Sequence, residues 1–223
     1  MNSPIILFVI VGLIIVGFFI ASSIAERKRR EAILALANRL GLFFAPDKDY
    51  GLAQSFSFLN TLREGANRYA FNVLTGEYGS HAVTCFDYHY ETTSHNGKST
   101  QTNHHHFSFY TLKLPSTFPE LRIGQESFLS KIAQAVGYDD IDFESHEFSR
   151  TFCVRSRDKK FAYDVCNARM IEYLLANRDL TIEIEQDRLA IAFNGKMRLE
   201  QIEPNMDRLL EIRNRMPEYL FSE

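Results

Sequence analysis

The chain has 223 residues, a formal net charge of −3 at pH 7 and a pI near 6.2. This balance argues against nucleic acid as a partner, because nucleic-acid-binding domains need a surplus of clustered positive charge. The three cysteines are odd in number and have no C-x-x-C spacing, which favours reduced thiols in a cytoplasm over a disulfide framework. We expect all three to be buried as small hydrophobic residues.

The first predicted element is a helix over residues 4–25, where the sequence carries no charged side chain before Glu26. About 20 apolar residues at 1.5 Å per residue are enough to cross the core of a bilayer. We therefore predict a single transmembrane anchor within residues 1–25. A cleaved signal peptide is the alternative, since Ser23-Ile24-Ala25 resembles a cleavage site, but no basic region precedes the run and a basic cluster follows it.

Four basic residues directly follow the predicted span: Arg27, Lys28, Arg29 and Arg30. Only the terminal amine precedes it, so the positive-inside rule predicts an outside N-terminus and a cytoplasmic C-terminal domain at the cell (inner) membrane. The cluster lies on a predicted basic juxtamembrane helix within residues 26–45, which we expect to continue out of the membrane. Its cations either only set this topology or also hold anionic lipid headgroups at the membrane surface.

Small residues form a stripe along the predicted span at Gly17, Ala21 and Ala25. Their i, i+4, i+8 spacing places them on one helix face, where a second helix can approach closely. The stripe is a candidate surface for self-association. The alternative is that it reflects only the high frequency of small residues in membrane helices.

Residues 46–223 are predicted to form a cytoplasmic α+β domain of mainly antiparallel sheet with packed helices. Alternating apolar residues predict the strands, and apolar residues at helical spacing predict the helices. The predicted extended segments are 42–44, 56–62, 68–74, 83–93, 102–114, 152–155 and a hairpin, 180–184 with 189–193, across Gln186-Asp187. The predicted helices are 30–40, 126–136, 168–177 and 204–216, with connectors at 47–55 and 115–119.

The clearest local signal in the domain is Asn96-Gly97 between two alternating runs. Asn-Gly accepts the positive φ angles of a type I′ turn, so residues 83–93 and 102–114 are predicted to pair as a hairpin with His95 opposite Lys98. Side chains alternate between the two faces of a strand. One face is then an aromatic core formed by Phe86, Tyr88, Tyr90, Phe107 and Phe109. The other face is polar and carries Asp87, His89, Glu91, Thr102, His104 and His106.

Three histidines on this polar face, His89, His104 and His106, come within reach of one carboxylate, Asp87 or Glu91. Imidazole nitrogens with a carboxylate oxygen form a ligand set that Zn²⁺ and similar divalent ions accept. The sequence therefore predicts a metal site with His89, His104, His106 and Asp87 as candidate ligands. The alternative is a solvated polar face, and a shift of the hairpin by one residue would separate the ligands of the two strands.

Two segments of the domain have similar residue types in the same order. The aromatic runs at 68–73 and 160–165 each follow a Phe-Ser pair at the same distance. Duplication of a helix-strand-hairpin unit would divide the domain into halves at 46–120 and 121–223. Chance is the alternative, because aromatic alternation is common to half-buried strands.

One stretch of the domain reads Phe152-Cys153-Val154-Arg155-Ser156-Arg157-Asp158, followed by Ala162, Met170 and Leu174-Leu175. A second is the turn Gly76-Glu77-Tyr78-Gly79, which leads into a strand and the aromatic hairpin. Together they resemble a pattern of bacterial membrane-anchored proteins that are classified only as a domain of unknown function, and they cover much of residues 65–193. The resemblance implies a bacterial cytoplasmic domain on a membrane anchor, and it implies no activity. The histidines at 104–106 lie outside the pattern.

The sequence contains no phosphate-binding glycine loop, no H-E-x-x-H and no G-x-S-x-G. We therefore expect a membrane-tethered cytoplasmic module that binds a partner protein or has a regulatory role, without a cofactor, rather than an enzyme. The alternative is a metal-dependent enzyme or metal sensor with Zn²⁺ or a similar ion on the histidine face. A third hypothesis is a lipid-contacting module that uses residues 27–30. A partner-binding module should expose an apolar surface or an open sheet edge, whereas an enzyme needs a pocket with convergent polar groups.

Overall fold

The computed structural model describes residues 3–59, 62–63, 65–95, 97, 99–126 and 140–222. Within these residues the helices are α1 (Ser3–Leu40), α2 (Tyr50–Ser55), α3 (His146–Thr151), α4 (Lys159–Val165), α5 (Ala168–Ala176) and α6 (Leu199–Arg215). The strands are β1 (Phe43–Ala45), β2 (Ala66–Tyr78), β3 (His81–His95), β4 (Thr100–Gly124), β5 (Cys153–Ser156) and β6 (Ile182–Asn194). A 3₁₀ turn, Glu218–Leu220, follows α6.

The described strands form an antiparallel sheet in the order β1-β2-β3-β4-β5, and β6 also pairs with β4. β4 is long enough to serve three partners. Its first half lies between β3 and the end of β6, while its second half pairs with the start of β6 and with β5. The predicted α+β class, a mainly antiparallel sheet with packed helices behind an apolar N-terminal helix, is confirmed.

α1 is one continuous helix that contains both the predicted span and the predicted juxtamembrane helix. Among the described residues it is the helix that is long and apolar enough to cross a membrane, and its first part is exposed. Its last part packs against the domain, where Ile33 and Ala37 are fully buried. Gly41, at a φ of +71°, follows its C-terminus as the expected left-handed residue. The last part of α1 therefore contributes to the domain core.

β3 and β4 form the predicted hairpin with a register displaced by two residues. His95 pairs with Thr100, two residues beyond the predicted partner, and His89 pairs with His106. A displacement of two residues keeps each side chain on the face predicted for it, because the faces of a strand alternate with a period of two. The aromatic face and the polar face are therefore composed as the sequence predicts.

The sheet carries an apolar core on each side. On one side the aromatic face of the hairpin packs against the segment that follows α2. The ring of Phe86 stacks on that of Phe109, with 5.5 Å between the ring centres, and the ring centre of Phe56 lies 5.8 Å from that of Phe86. On the other side α1, α5 and α6 cover the sheet, and Ile33 and Leu209 are fully buried there. The sheet is therefore enclosed on both faces except near the tip of the hairpin.

The three cysteines are free and buried, as expected for small hydrophobic residues: Cys85, Cys153 and Cys166. Burial raises the pKa of each thiol, to about 11 for Cys153. A thiol with a raised pKa has little thiolate at neutral pH. None of the three is therefore poised as a nucleophile.

Three predicted segments differ from the structure, one through a local helix cap and two through tertiary contacts. Residues 50–55 are a helix and not a connector, because the Asp49 carboxylate caps it by accepting a hydrogen bond from Leu52 N at 2.7 Å. The described part of 56–62 forms turns against the aromatic face instead of an extended segment. β4 continues through the predicted connector 115–119, since it also pairs with β6 in this part of the sheet.

Residues 182–194 form one strand and not a hairpin across Gln186-Asp187. Gln186 has a φ of +52°, and the residues on both sides of it pair with β4. α6 begins at Leu199, before the predicted start, and Pro204 lies inside it. The predicted helix at 126–136 falls outside the described residues from 127 onward.

The two aromatic runs behind the predicted repeat have different secondary structures. Residues 68–73 are strand in β2, whereas residues 160–165 are helix in α4. Asp158 is the N-cap of this helix, and its carboxylate accepts a hydrogen bond from Phe161 N at 3.0 Å. A boundary after residue 120 would also cut β4. Burial also differs between matching positions, since Phe71 is buried whereas Tyr163 is 50% exposed. The similar residue types therefore do not mark a repeated fold unit at this point.

Candidate metal centre and the polar face of the sheet

The polar side chains predicted from the hairpin lie on one face of β3 and β4. Three cross-strand pairs follow one another along this face: Asp87–Ser108, His89–His106 and Glu91–His104. The side chain of Asp87 is fully buried, whereas that of His104 is 59% exposed. The face therefore passes from the domain core to solvent toward the hairpin tip.

Three ligand-type atoms converge at the outer end of this face: His89 Nε2, His104 Nδ1 and Glu91 Oε1. His104 Nδ1 lies 3.1 Å from His89 Nε2 and 3.3 Å from Glu91 Oε1, and the remaining separation is 3.9 Å. Bonds of about 2.0–2.1 Å to a tetrahedral Zn²⁺ place its ligand atoms about 3.3 Å apart. The structure thus brings His89 and His104 together as predicted, with Glu91 as their carboxylate.

His89 is held in the tautomer that such a site needs. Its Nδ1 lies 3.2 Å from the Asn67 carbonyl oxygen, which can only accept a hydrogen bond, so Nδ1 carries the proton. In the neutral ring Nε2 then offers its lone pair toward His104 and Glu91. Desolvation by burial lowers the pKa of His89 and favours the neutral ring. The Asn67 side chain also donates to Glu91 Oε1 at 2.7 Å and orients the carboxylate.

Asp87 does not belong to the converging group, which corrects its prediction as a metal ligand. Its buried carboxylate accepts hydrogen bonds from Arg29 Nη2 at 2.8 Å, Asn72 Nδ2 at 2.9 Å and Met197 N at 2.5 Å. Arg29 also donates to the Met197 carbonyl at 2.7 Å. Burial raises the pKa of Asp87, and the Arg29 guanidinium opposes that rise. Asp87 therefore joins α1, β2, β3 and the connection between β6 and α6.

The other two histidines of the cluster have separate surroundings. His106 is half-buried beside the converging group, with its ring centre 5.1 Å from that of His89, and its Nδ1 has no hydrogen-bond partner within the described residues. His105 points to the opposite face, where it stacks on Tyr90 at 4.6 Å and its Nε2 lies 2.8 Å from Thr92 Oγ1. Of the three predicted histidine ligands, the structure therefore places two at one point and the third next to them.

The four predicted membrane-surface cations differ in their contacts. Arg29 points into the domain, so its charge is engaged by Asp87. Arg27 and Arg30 each pair with a glutamate one helical turn away, and Lys28 is exposed. Contact of these three with lipid headgroups remains a prediction, as does self-association through the exposed stripe of Gly17, Ala21 and Ala25.

A polar cavity of about 440 Å³ lies beside the inner end of the polar face, between β4, β6 and the start of α6. Ser108, Tyr110, Thr181 and Asn205 line its floor. Tyr110 Oη and Asn205 Oδ1 are buried and have no hydrogen-bond partner in the described part of the chain. Three cations line it as well: Arg178, Lys196 and Arg198.

Sequence reasoning missed this cavity because its residues come from distant parts of the chain. The available signal was the parity of β4, which places Ser108 and Tyr110 on the same face as His104 and His106. Parity does not show which strand and helix cover that face. The cavity depends on β6 and α6, and both approach β4 only in the folded chain.

A separate group of carboxylates lies further along the sheet: Glu120, Glu183 and Glu185. Arg122 lies among them, paired with Glu120 and, at 3.6 Å, with Glu183. Burial and the two neighbouring carboxylates raise the pKa of Glu185 to about 7. Because a guanidinium already occupies this group, we interpret it as an ion-pair network.

No protein-family model matches this chain, and no curated protein matches it. Among solved structures, it is similar to the crystal structure of the mycobacterial trehalose monomycolate transport factor A, TtfA. The TM-score is 0.62 at 12% sequence identity, and the similarity covers 84% of this chain and 96% of that chain. At this identity the similarity establishes a shared fold.

Proposed function

We propose that this chain is a single-pass, membrane-tethered module, with its α+β domain in the cytoplasm, that acts by binding a partner protein rather than by catalysis. The observation that carries this proposal is the continuity of α1, which leaves the apolar segment and enters the domain core without a break. The four basic residues after the span support a cytoplasmic domain through the positive-inside rule. The similar mycobacterial protein is named a transport factor, a term compatible with a module that assists other proteins.

Contacts directly after the span hold α1 in a fixed position on the domain. Arg29 is bound to Asp87 and to the Met197 carbonyl, and Glu26 Oε2 lies 3.6 Å from Lys196 Nζ. Separation of α1 from the sheet would leave the Asp87 carboxylate buried without its counter-charge, which is costly. Such a tether presents the domain to the membrane in one orientation, as a docking platform requires.

An apolar groove of about 560 Å³ supports the partner-binding part of the proposal. Phe143, Tyr163, Ile171 and Leu175 line it, between α4, α5 and the segment before α3. Tyr163 is 50% exposed, and the other three are partly buried. A groove lined in this way fits the apolar face of an amphipathic helix, so we propose that the partner contributes such a helix.

Cysteine labelling tests the topology. The native thiols are buried, and Ser3→Cys and Lys159→Cys each add one thiol to the full chain, at the N-terminal end of α1 and at the exposed start of α4. A membrane-impermeant maleimide should label Ser3→Cys in intact bacterial cells and should label Lys159→Cys only after permeabilisation. Labelling of Lys159→Cys in intact cells would reverse the proposed orientation.

Photo-crosslinking in the native membrane tests the partner. A photoreactive amino acid at position 163 should give a discrete protein adduct, which Ile171→Glu should abolish by adding a charge to the groove. The same amino acid at the exposed position 50, on α2, is the control. Adducts that are identical from both positions, or that survive Ile171→Glu, would contradict docking in the groove.

A second candidate function is metal binding by His89, His104 and Glu91. Their convergence favours it, together with the Asn67 carbonyl that fixes the His89 tautomer. Zn²⁺ or a similar ion would replace the hydrogen bond between the two histidines with ligand bonds. Because these ligands belong to both strands of the hairpin, the ion would cross-link β3 to β4 near their exposed ends, as expected of a sensor or structural site.

A further inference from the structure

We propose that the polar cavity between β4, β6 and α6 binds a phosphate ester of a hydroxylated alcohol, as in glycerol phosphate. The ester comes either from a lipid headgroup of the adjacent leaflet or from a soluble metabolite. This inference goes beyond the proposed tethering and partner binding, and it depends on neither the apolar groove nor the metal centre. The cavity volume of about 440 Å³ lies within the range of small-molecule sites.

The start of α6 forms the anion-binding end of the cavity. A helix N-terminus presents backbone N–H groups and a partial positive charge, which together bind phosphate. Arg198 occupies the N-cap position of this 17-residue helix and makes no side-chain cap hydrogen bond. In the first turn the N–H of Gln201 donates to the Arg198 carbonyl at 2.9 Å, so the N–H groups of Leu199 and Glu200 are the ones that point toward a ligand. Arg198 is exposed and has no ion pair among the residues that the structure describes. Its guanidinium is free to bind two phosphate oxygens.

Tyr110 and Asn205 form the hydroxyl-binding floor. Their exposed fractions are 0% and 4%, yet Tyr110 Oη and Asn205 Oδ1 lack hydrogen-bond partners within the described chain. The Asn205 side chain is the polar group beside the Tyr110 hydroxyl. Buried polar atoms are normally paired, so this pair retains capacity for a hydroxyl partner from outside the protein. A phenol hydroxyl and an amide oxygen both bind alcohol groups, and Ser108 and Thr181 add two further hydroxyls. These four polar side chains support, independently of the helix N-terminus, the proposal that a ligand binds in the cavity.

The charges around the cavity favour an anion. Arg178 and Lys196 line it together with Arg198, and Asp179 is the acidic residue among the lining side chains. Asp179 is engaged by Arg208 at 2.8 Å, so its charge is largely balanced. Arg178 is likewise paired with Glu147 and Lys196 with Glu26, which leaves Arg198 as the lining cation without an ion pair among the described residues. The uncompensated positive charge at the cavity is therefore that of Arg198, at the start of α6.

Lys196 places this cavity next to the membrane. Its Nζ lies 3.6 Å from Oε2 of Glu26, the residue that directly follows the predicted span 4–25. At 1.5 Å per residue, Glu26 is within about one helical turn of the membrane boundary. A headgroup in the leaflet next to the domain is therefore within reach of the cavity, which is why the lipid source is included.

The test uses the full chain in phosphatidylcholine nanodiscs. In one arm, equilibrium dialysis measures binding of radiolabelled glycerol 3-phosphate. In the other arm, native mass spectrometry counts phosphatidylglycerol molecules retained from mixed bilayers. Arg198→Gln removes the unpaired cation and Tyr110→Phe removes one hydroxyl at constant volume. Arg150→Gln is the matched control, because it removes an exposed positive charge at the end of α3, away from both the cavity lining and the basic cluster.

We expect saturable binding in at least one arm, and the arm that shows it identifies the source of the ester. Arg198→Gln should weaken that binding by about 10-fold or more, the cost of one charge-assisted hydrogen bond, and Tyr110→Phe should weaken it by a smaller factor. Arg150→Gln should leave it unchanged. Absence of binding in both arms, equal losses from Arg150→Gln and Arg198→Gln, or full retention in Tyr110→Phe would each overturn the proposal. Unchanged circular dichroism melting of the variants excludes misfolding as the cause of a loss.

Discussion

Arg29 of α1 donates a hydrogen bond to Asp87 of β3 across 2.8 Å, and the Asp87 carboxylate is fully buried beneath it. The amino-acid sequence predicts that Arg29 is a membrane-surface cation and that Asp87 is a metal ligand. In the structure the two side chains bind each other, so neither is available for its predicted role. This pairing also explains the attachment of α1, because the first turns after the span are held to the centre of the sheet.

Substitution of Arg29 should loosen this attachment. Arg29→Met should lower the free energy of unfolding by about 3 kcal/mol, because it leaves a buried carboxylate without its counter-charge. Arg27→Met is the control, since the Arg27–Glu31 pair is exposed on both sides and such pairs contribute little. Urea unfolding of the full chain in detergent, followed by circular dichroism, measures both variants. Equally small effects would show that the pair does not hold α1.

Two glycines with positive φ allow the cost of backbone strain to be measured apart from the cost of a steric clash. Gly65 has a φ of +65°, and a Cβ there would lie 2.4 Å from the Glu91 carbonyl oxygen. Gly195 has a φ of +84°, and among the described residues beyond its chain neighbours no atom lies within 4 Å of such a Cβ. Gly195→Ala should therefore cost about 1 kcal/mol of stability for the left-handed backbone, and Gly65→Ala about 2 kcal/mol more for the clash.

Thermal melting of the two alanine variants under one condition makes this comparison. A clash at Glu91 O should also disturb the converging ligand group, because Glu91 belongs to it. Gly65→Ala should consequently weaken metal binding more than Gly195→Ala does. Equal melting temperatures for the two variants would contradict the predicted close approach.

The metal centre predicts different outcomes for neighbouring histidines. Zn²⁺ titration of the full chain in detergent should show one bound ion, and His104→Ala should weaken its binding by about 10-fold or more through loss of one ligand. His105→Ala should have little effect, because His105 faces Tyr90 on the opposite side of the sheet. Stoichiometric Zn²⁺ in neither protein, or equal losses in both variants, would contradict the second candidate function.

Glu185 should make stability depend on pH in a defined direction. Its pKa is raised from an ordinary 4.5 to about 7 by burial and by the charges of Glu120 and Glu183. Between these values the folded chain binds a proton that the unfolded chain has released, so stability falls as the pH rises through this window. Glu185→Gln removes the titration and should flatten the curve.

Urea midpoints of the wild type and of Glu185→Gln, measured across this window, give the contribution of Glu185 as a difference. We expect the wild type to lose on the order of 1 kcal/mol relative to the variant, a value reduced for the solvent screening of a partly exposed group. Parallel curves would mean that Glu185 is not perturbed in the folded state.

Local chemistry accounts for the parts of the fold that the sequence predicts. The β3–β4 hairpin follows from Asn96-Gly97 between alternating runs, and its faces survive a register displacement of two residues because strand faces have that period. Two of the misassigned elements depend on partners distant in sequence. Residues 115–119 have the sequence of a connector, and residues 182–194 have the sequence of a hairpin. In the structure both segments are strand, because β4 and β6 pair with each other there.

Part of the candidate site is also predictable from the sequence, and part of it is not. Strand parity alone places His89, Glu91 and His104 on one face, and the cross-strand register then brings their ligand atoms together. Parity also places Asp87 there, but it cannot show that Arg29, Asn72 and Met197 N already occupy its oxygens. Those donors come from three other parts of the chain.

The sequence by itself determined the apolar N-terminal helix, the α+β class, the aromatic and polar faces of the hairpin and the burial of the cysteines. These properties depend on composition and on periods of two or 3.6 residues, which short stretches of chain contain in full. Only the tertiary structure decided the Arg29–Asp87 pair, the course of β6 along β4 and the cavity below Arg198. Each of these joins residues far apart in sequence, and the burial that gives such contacts their energy exists only once the chain has folded.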